Sequence, residues 1–153
     1  MEIIVYYISL IGAFTFSISG SLKAMGKNFD PFGILIIAFV TAVGGGTLRD
    51  ILVEDKAIFW LVEPEIIYSI LGGTIFSIIF RNKIYKLHKL LMLFDTIGLG
   101  LFTIVGVQVG LEFNLSAINC IILGTITGSF GGVLRDILVN EMKQMRKDFA
   151  SKS

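Results

Sequence analysis

Two Arg-Asp pairs are the main candidates for chemistry in this sequence, and each follows a glycine-containing apolar stretch. Gly45–Asp50 reads GGTLRD, and Gly131–Asp136, 86 residues later, reads GGVLRD. Glycine inside a helix costs about 1 kcal/mol relative to alanine, so Gly44–Gly46 predicts a kink or an unwound turn. Ionisable groups at membrane depth are candidates for function. The motif therefore indicates a polar break in each of two apolar segments.

Freed backbone carbonyls are tolerated inside a membrane only against protein or a watery cavity, and carbonyl oxygens suit cations. Nearby hydroxyl groups would add oxygen atoms to such a site. Neighbouring residues of a helix point to different parts of its surface. The side chains of Arg49 and Asp50 are therefore expected not to pair with each other. The candidate ion-pathway residues are Thr41, Gly44, Gly45, Gly46, Thr47, Arg49, Asp50, Asp95, Thr127, Ser129, Gly131, Gly132, Arg135 and Asp136.

Each of these candidates has a plainer alternative. Small residues let membrane helices approach closely, and packing alone could account for the motif glycines, as we expect for Gly12, Gly20, Gly98, Gly106 and Gly110. An arginine near a helix end can also anchor at the membrane interface. Asp95 is either a cation-attracting group at the inner mouth of a pathway or a carboxylate favoured by a helix start. The sequence leaves these alternatives open.

Other reactive groups give no site. Cys120 is alone in an apolar run, which predicts a packed side chain, and His88 is alone in a basic loop. No nucleophile–base pair, metal-ligand cluster or phosphate-binding motif is recognisable. The sequence thus predicts no catalytic residues, no enzyme, no bound metal and no cofactor. A net charge of +1 argues against a nucleic-acid partner.

The elements that must position the motifs are membrane helices. The 153 residues are 54% hydrophobic and 16% charged, and their mean hydropathy is +0.83, whereas a soluble domain carries about 25% charged residues. A spanning helix needs about 20 mostly apolar residues. The sequence predicts one all-α membrane domain with five spans. Their ranges are Ile3–Leu22, Pro31–Leu48, with an extension to about Val53, Ile66–Phe80, Leu90–Leu111 and Phe113–Leu134.

Charge distribution predicts the orientation. Five spans place the loops after the first and third spans, and the carboxyl tail, on one side, which collects 11 of the 13 Lys and Arg residues. Positive residues mark the cytoplasmic side, so the amino terminus is expected outside a prokaryotic plasma membrane. Four basic residues of the third loop could also contact anionic lipid headgroups. They are Arg81, Lys83, Lys86 and Lys89. Trp60 is expected either as an interfacial anchor or in a loop contact.

The motif repeat extends along most of the chain. At the same offset, Gly12, Gly20 and Asn28 match Gly98, Gly106 and Asn114. Three spans fit in the offset, and an odd number inverts the second copy, which predicts an inverted repeat with a pathway between its halves. The first repeat covers residues 3–85, a partial second repeat covers 90–141, and a basic polar tail covers 142–153.

These motifs resemble the prokaryotic branch of the trimeric intracellular cation (TRIC) channel family, whose repeat is also called a glycine-transporter domain. The similar segments include Asp30–Gly33, Ala38–Asp50, Asp95–Leu99 and Gly131–Glu141. The resemblance implies a homotrimer in the lipid bilayer, with a potassium or sodium pore in each protomer between inverted repeats. It also implies kinks at Gly44–Gly46 and at Gly131 and Gly132.

The sequence departs from the family pattern after Glu141, where relatives continue into sixth and seventh helices but Met142–Ser153 is polar and basic. Three functions therefore stay open. The first is a monovalent cation channel, with potassium as the expected ion. The second is a transporter of a small solute such as glycine, working by alternating access. The third is a non-conducting, truncated membrane scaffold.

Overall fold

The computed structural model describes residues 2–81 and 87–152, and in these ranges the regular structure is helical. Lys83 and Lys86, two of the expected lipid contacts, lie outside the described residues. The helices are α1 (Glu2–Met25), α2 (Pro31–Leu52), α3 (Phe59–Val62), α4 (Glu65–Phe80), α5 (Leu87–Glu112) and α6 (Ala117–Lys152).

The helices agree with the predicted spans, with differences at their ends. Among the described residues, α1, α2, α5 and α6 are long and apolar enough to cross a membrane, whereas α4 has 16 residues and is shorter. The α2 helix extends to Leu52, as predicted. The predicted start of the last span at Phe113 is wrong, because Asn114 turns the chain with a φ of 53° and α6 begins at Ala117. The basic tail continues α6 as a helix.

Four helices form a closed ring. In cyclic order α1 packs on α2, α2 on α6, α6 on α5, and α5 on α1. The α4 helix lies against α1, where Ser69 donates a hydrogen bond to the Leu10 carbonyl at 2.8 Å. The short α3 packs beside the carboxyl end of α2, with Phe59 buried in the core. The pathway predicted between the repeat halves would correspond to the interior of this four-helix ring.

The two halves of the ring are related by a two-fold axis that inverts them. Gly12 of α1 faces the Phe102 ring of α5, and Gly98 of α5 faces the Phe16 ring of α1, which is the same contact after the 86-residue shift. As numbers rise in α1 they fall in α5, so the two equivalent helices run antiparallel. The predicted inversion of the repeat is confirmed by these reciprocal contacts.

Gly20 and Gly106, which lie outside the two motifs, serve helix packing, as predicted. A Cβ on Gly20 would lie 2.7 Å from the Thr41 hydroxyl oxygen, and one on Gly106 would lie 2.6 Å from the Thr127 hydroxyl oxygen. These contacts are again related by the two-fold axis. Such close approach needs residues without side chains. The glycines therefore hold α1 against α2, and α5 against α6, with little space between them.

Candidate functional site

The two glycine motifs meet where α2 crosses α6. A Cβ on Gly45 would overlap the Thr127 carbonyl oxygen, and a Cβ on Gly131 would overlap the Thr41 carbonyl oxygen. Both helices continue through their glycines, and no described glycine has a positive φ. Of the predicted kink or unwound turn, the unwound turn is wrong, because the glycines bring two continuous helices into backbone contact. A kink at these glycines stays a prediction.

The hydroxyl groups at this crossing are bonded to their own helices. Thr41 donates to the Ile37 carbonyl at 2.5 Å, and Thr127 donates to the Leu123 carbonyl at 2.6 Å. Ser129 donates in the same way to the Thr125 carbonyl at 2.7 Å. Hydroxyl oxygens keep lone pairs after donating. These groups can therefore still accept a hydrogen bond or contact a cation.

The remaining motif glycines have separate neighbours. A Cβ on Gly44 would meet the Leu134 side chain, and one on Gly46 would meet the Phe59 ring. Gly132 has more space around it, because a Cβ there would lie 3.6 Å from the nearest atoms of Arg135 and Asp95, an ordinary van der Waals distance. The first two glycines thus make room for side chains, whereas Gly132 lies beside the second Arg-Asp pair.

The first Arg-Asp pair is buried at the carboxyl end of α2. Arg49 is 2% exposed and Asp50 is 1% exposed. Both Nε and Nη2 of Arg49 lie 2.7 Å from Asp50 Oδ1, and the backbone N–H of Phe59 donates to Asp50 Oδ2 at 2.8 Å. The Phe59 ring lies 5.3 Å from the guanidinium carbon. The pair therefore ties α3 to the end of α2.

The second Arg-Asp pair has more partners. Arg135 Nε donates to Asp136 Oδ1 at 3.0 Å, while Nη1 donates to the Ser19 hydroxyl at 2.6 Å and to Asp95 Oδ1. Ser19 in turn donates to Asp95 Oδ1 at 3.1 Å. Lys23 lies 3.4 Å from Asp136. This network joins α1, α5 and α6 at the opposite end of the ring from Arg49.

One expectation about these residues is wrong, and one of the two alternatives for Asp95 is excluded. Arginine and its neighbouring aspartate do bond to each other in both motifs, because the long arginine side chain can fold back along its helix to the next residue. Asp95 is not at a helix start, because α5 begins at Leu87. Its carboxylate compensates the largely buried charge of Arg135 instead.

Phenylalanine rings separate the two Arg-Asp pairs inside the ring of helices. Phe16 and Phe102 are 2% and 1% exposed, and their rings stack with centroids 5.4 Å apart. Phe59 meets Phe102 edge-on, with centroids 6.3 Å apart. Sequence reasoning did not include either residue in the site, although the 86-residue offset relates Phe16 to Phe102. Their position at the centre of a two-fold repeat was the available signal.

A cavity of about 270 Å³ lies beside the first pair. Its charged lining residues are Arg49, Lys56, Glu63 and Glu112, and Ser9, Tyr6 and Val105 also line it. Burial is the main cause that raises the pKa of Glu63, while Lys56 acts in the opposite direction and Glu65 adds to the increase. The wall of the cavity thus contains both basic and acidic side chains.

Several predicted peripheral contacts can also be located. Arg81 and Lys89 are exposed, as lipid-facing or solvent-facing residues would be. Trp60 packs edge-on against Phe39 and donates from Nε1 to the Thr47 hydroxyl at 3.0 Å. Cys120 is buried. Over residues 2–81 and 87–152, His, Cys, Asp and Glu form no group of three suited to a metal ion.

Known families and structures are similar to this chain over most of its length. A family model described as glycine transporter matches residues 6–82 and 92–148. The inner membrane protein YadS of Escherichia coli is 34% identical over 140 residues, which are 91% of this chain and 68% of YadS. A membrane protein of Vibrio cholerae is 35% identical over 91% of this chain and 59% of its own length. The chain thus spans about two thirds of these relatives' length.

Solved channel structures share the fold. A prokaryotic TRIC channel superposes with a TM-score of 0.87 at 31% identity, covering 92% of this chain and 72% of the channel. The TRIC channel orthologue from Rhodobacter sphaeroides gives a TM-score of 0.84 at 32% identity, covering 89% and 70%. With the inverted helical repeat and the paired glycine-Arg-Asp motifs, these similarities show that the chain belongs to the prokaryotic branch of the TRIC channel family.

Proposed function

We propose that this chain forms a passive pathway for monovalent cations, with potassium or sodium as the permeant ion. The observation that carries the proposal is the fold shared with structures described as TRIC cation channels, at 31–34% identity. The inverted repeat supports it, because such repeats place an ion path between their halves. Here the space between the halves is the interior of the four-helix ring.

Charge at both ends of this interior is compatible with cation entry. Glu63 and Glu112 line the cavity beside Arg49, and Asp95 and Asp136 surround Arg135 at the other end. Each arginine is compensated by at least one carboxylate, so neither presents an isolated positive charge to a passing cation. Acidic groups at a mouth raise the local concentration of cations.

The stacked rings of Phe16 and Phe102 would have to separate for ions to pass. Hydrophobic constrictions can close a pathway by excluding water, and the stack lies between the cavity beside Arg49 and the Asp95 carboxylate. We propose that this structure corresponds to a closed state and that the stack is its barrier. Thr41 and Thr127, beside the stack at the α2–α6 crossing, would offer oxygen atoms to an ion once water enters.

Planar-bilayer recording of the purified chain tests this proposal. We expect unitary currents in symmetric potassium chloride, with a higher open probability for Phe16→Ala and for Phe102→Ala, because a smaller side chain admits water. Phe32→Ala is the matched control, since Phe32 is 69% exposed on α2. Absence of unitary currents in all of these proteins would contradict the channel, and equal currents in all of them would contradict the barrier.

Assembly and solute specificity complete the proposal. A structural neighbour is described as a trimeric channel, and we propose that this chain also forms a homotrimer, which native mass spectrometry would detect.

Transport of a small solute is the second candidate, favoured by the glycine transporter description of the matching family. Saturable uptake of labelled glycine into liposomes, without unitary currents, would support that candidate instead.

A further inference from the structure

Arg49 has one nitrogen without a partner. Over the described part of the chain, its Nη1 is the one fully buried side-chain nitrogen or oxygen that makes no hydrogen bond. The other two nitrogens are held by Asp50, and the Phe59 ring lies against the guanidinium group. The group is therefore fixed in place, and Arg49 lines the cavity of about 270 Å³ described above. A buried donor left unpaired is costly, and more so when it is charged.

The second repeat shows what normally fills this position. Arg135 is the counterpart of Arg49, and its Nη1 donates to Asp95 and to Ser19. A shift of 86 residues replaces Asp95 by Ser9 and Ser19 by Val105. Both replacements line the cavity beside Arg49.

Neither replacement supplies a carboxylate. The Ser9 hydroxyl is neutral and already donates to the Val5 carbonyl at 2.8 Å, and Val105 is apolar. The first repeat thus retains the arginine of the network but lacks its anionic acceptor. What is missing is a negatively charged oxygen or an anion of similar size.

We propose that the Arg49 cavity binds a small monovalent anion, a halide or a carboxylate, at Nη1 of Arg49, where the second repeat has the Asp95 carboxylate. The cavity of about 270 Å³ has room for such an ion together with water. Hydrogen bonds between an arginine and an anion are stronger than those between neutral groups. The site does not depend on whether the chain conducts.

The charges around the cavity limit the kind of anion. Lys56 adds a second positive group, whereas Glu63 and Glu112 add negative ones. Together with Asp50, which is bonded to the guanidinium, these groups carry two positive and three negative charges when all are ionised, and the balance reaches zero only when Glu63 is protonated, which excludes divalent anions such as sulfate. The raised pKa of Glu63 shows that burial disfavours its own charged form. A single negative charge is the complement to the one unpaired donor.

The test is anion titration of the purified full chain in neutral detergent, with wild type, Ser9→Asp and Ser9→Ala compared. Ser9→Asp places a carboxylate where the second repeat has Asp95 and should occupy Nη1 from within the chain. Ser9→Ala leaves the position empty and is the matched control. Trp60, the single tryptophan and the neighbour of Phe59, reports on the site by its fluorescence, and thermal unfolding provides a second readout.

We expect a saturable effect of potassium chloride or potassium acetate on wild type and Ser9→Ala, and no such effect on Ser9→Asp. At a concentration a hundred times Kd, the anion should raise the folded-to-unfolded ratio about a hundredfold. A response to chloride alone would identify a halide site, and a response to acetate alone a carboxylate site. No saturable response in wild type, or an equal response in Ser9→Asp, would overturn the proposal.

Discussion

Alanine at the α2–α6 crossing should destabilise the protein although alanine is the better helix former. In Gly45→Ala the new methyl group would overlap the Thr127 carbonyl oxygen, which is backbone and cannot rotate away. Overpacking of a core costs about 1–3 kcal/mol, and contact with backbone favours the upper end. Helix propensity returns about 1 kcal/mol. The net loss should therefore be about 2 kcal/mol.

The two-fold axis and an open glycine provide the comparisons. Gly131→Ala should cost about as much as Gly45→Ala, because it would overlap the Thr41 carbonyl oxygen in the same way. At Gly100 an added Cβ meets nothing within 4 Å, so Gly100→Ala should be neutral or stabilising by up to about 1 kcal/mol.

Thermal unfolding in detergent, followed by circular dichroism, measures these differences. A change of 1 kcal/mol shifts Tm by about 2–4 °C in a protein of this size, so Gly45→Ala and Gly131→Ala should unfold about 4–8 °C below wild type. Equal Tm values for Gly45→Ala and Gly100→Ala would refute the close backbone contact. A loss confined to one of the two motif variants would refute its two-fold symmetry.

Three other changes test the polar contacts. Asp95→Asn should lower the free energy of unfolding by about 2 kcal/mol, because the buried Arg135 loses a carboxylate that is itself only partly exposed. Asp136→Asn should cost under about 1 kcal/mol, because that carboxylate is half exposed. Chemical unfolding compares the two variants, and equal losses would contradict the network. Trp60→Phe should cost about 1 kcal/mol by losing the indole hydrogen bond to α2, and an unchanged unfolding midpoint would speak against that bond. Lys89→Ala should weaken binding of anionic lipid by about 1 kcal/mol, which native mass spectrometry can measure with a neutral lipid as the reference. Equal binding of the anionic lipid by wild type and Lys89→Ala would show that Lys89 is a solvent-facing residue.

Much of the fold could be predicted because its signals are periodic and long. Apolar stretches of membrane length located α1, α2, α5 and α6, and the glycine motifs with their spacing predicted the inversion. The ends of the helices were harder to predict. Apolar residues continue on both sides of the turn at Asn114, so the hydrophobic pattern does not mark the turn. The short α3 gave no periodic signal because it has four residues.

Sequence reasoning named the residues of the candidate site but not the bonds between them. Sequence position alone could not show that Arg49 folds back onto Asp50, or that Asp95 compensates Arg135 from another helix, because both depend on side-chain conformation and on packing between helices. The Phe16–Phe102 stack was missed because phenylalanine is common in apolar helices, and only contact across the two-fold axis distinguishes these two rings.

Reversal potential is the measurement that tests the proposed function most directly. The purified chain, incorporated in a planar bilayer between unequal potassium chloride concentrations, should give unitary currents that reverse towards the potassium equilibrium potential. Currents that reverse towards the chloride equilibrium potential would contradict a cation pathway. Correctly folded protein that gives no unitary currents at any applied voltage would contradict a channel of any kind.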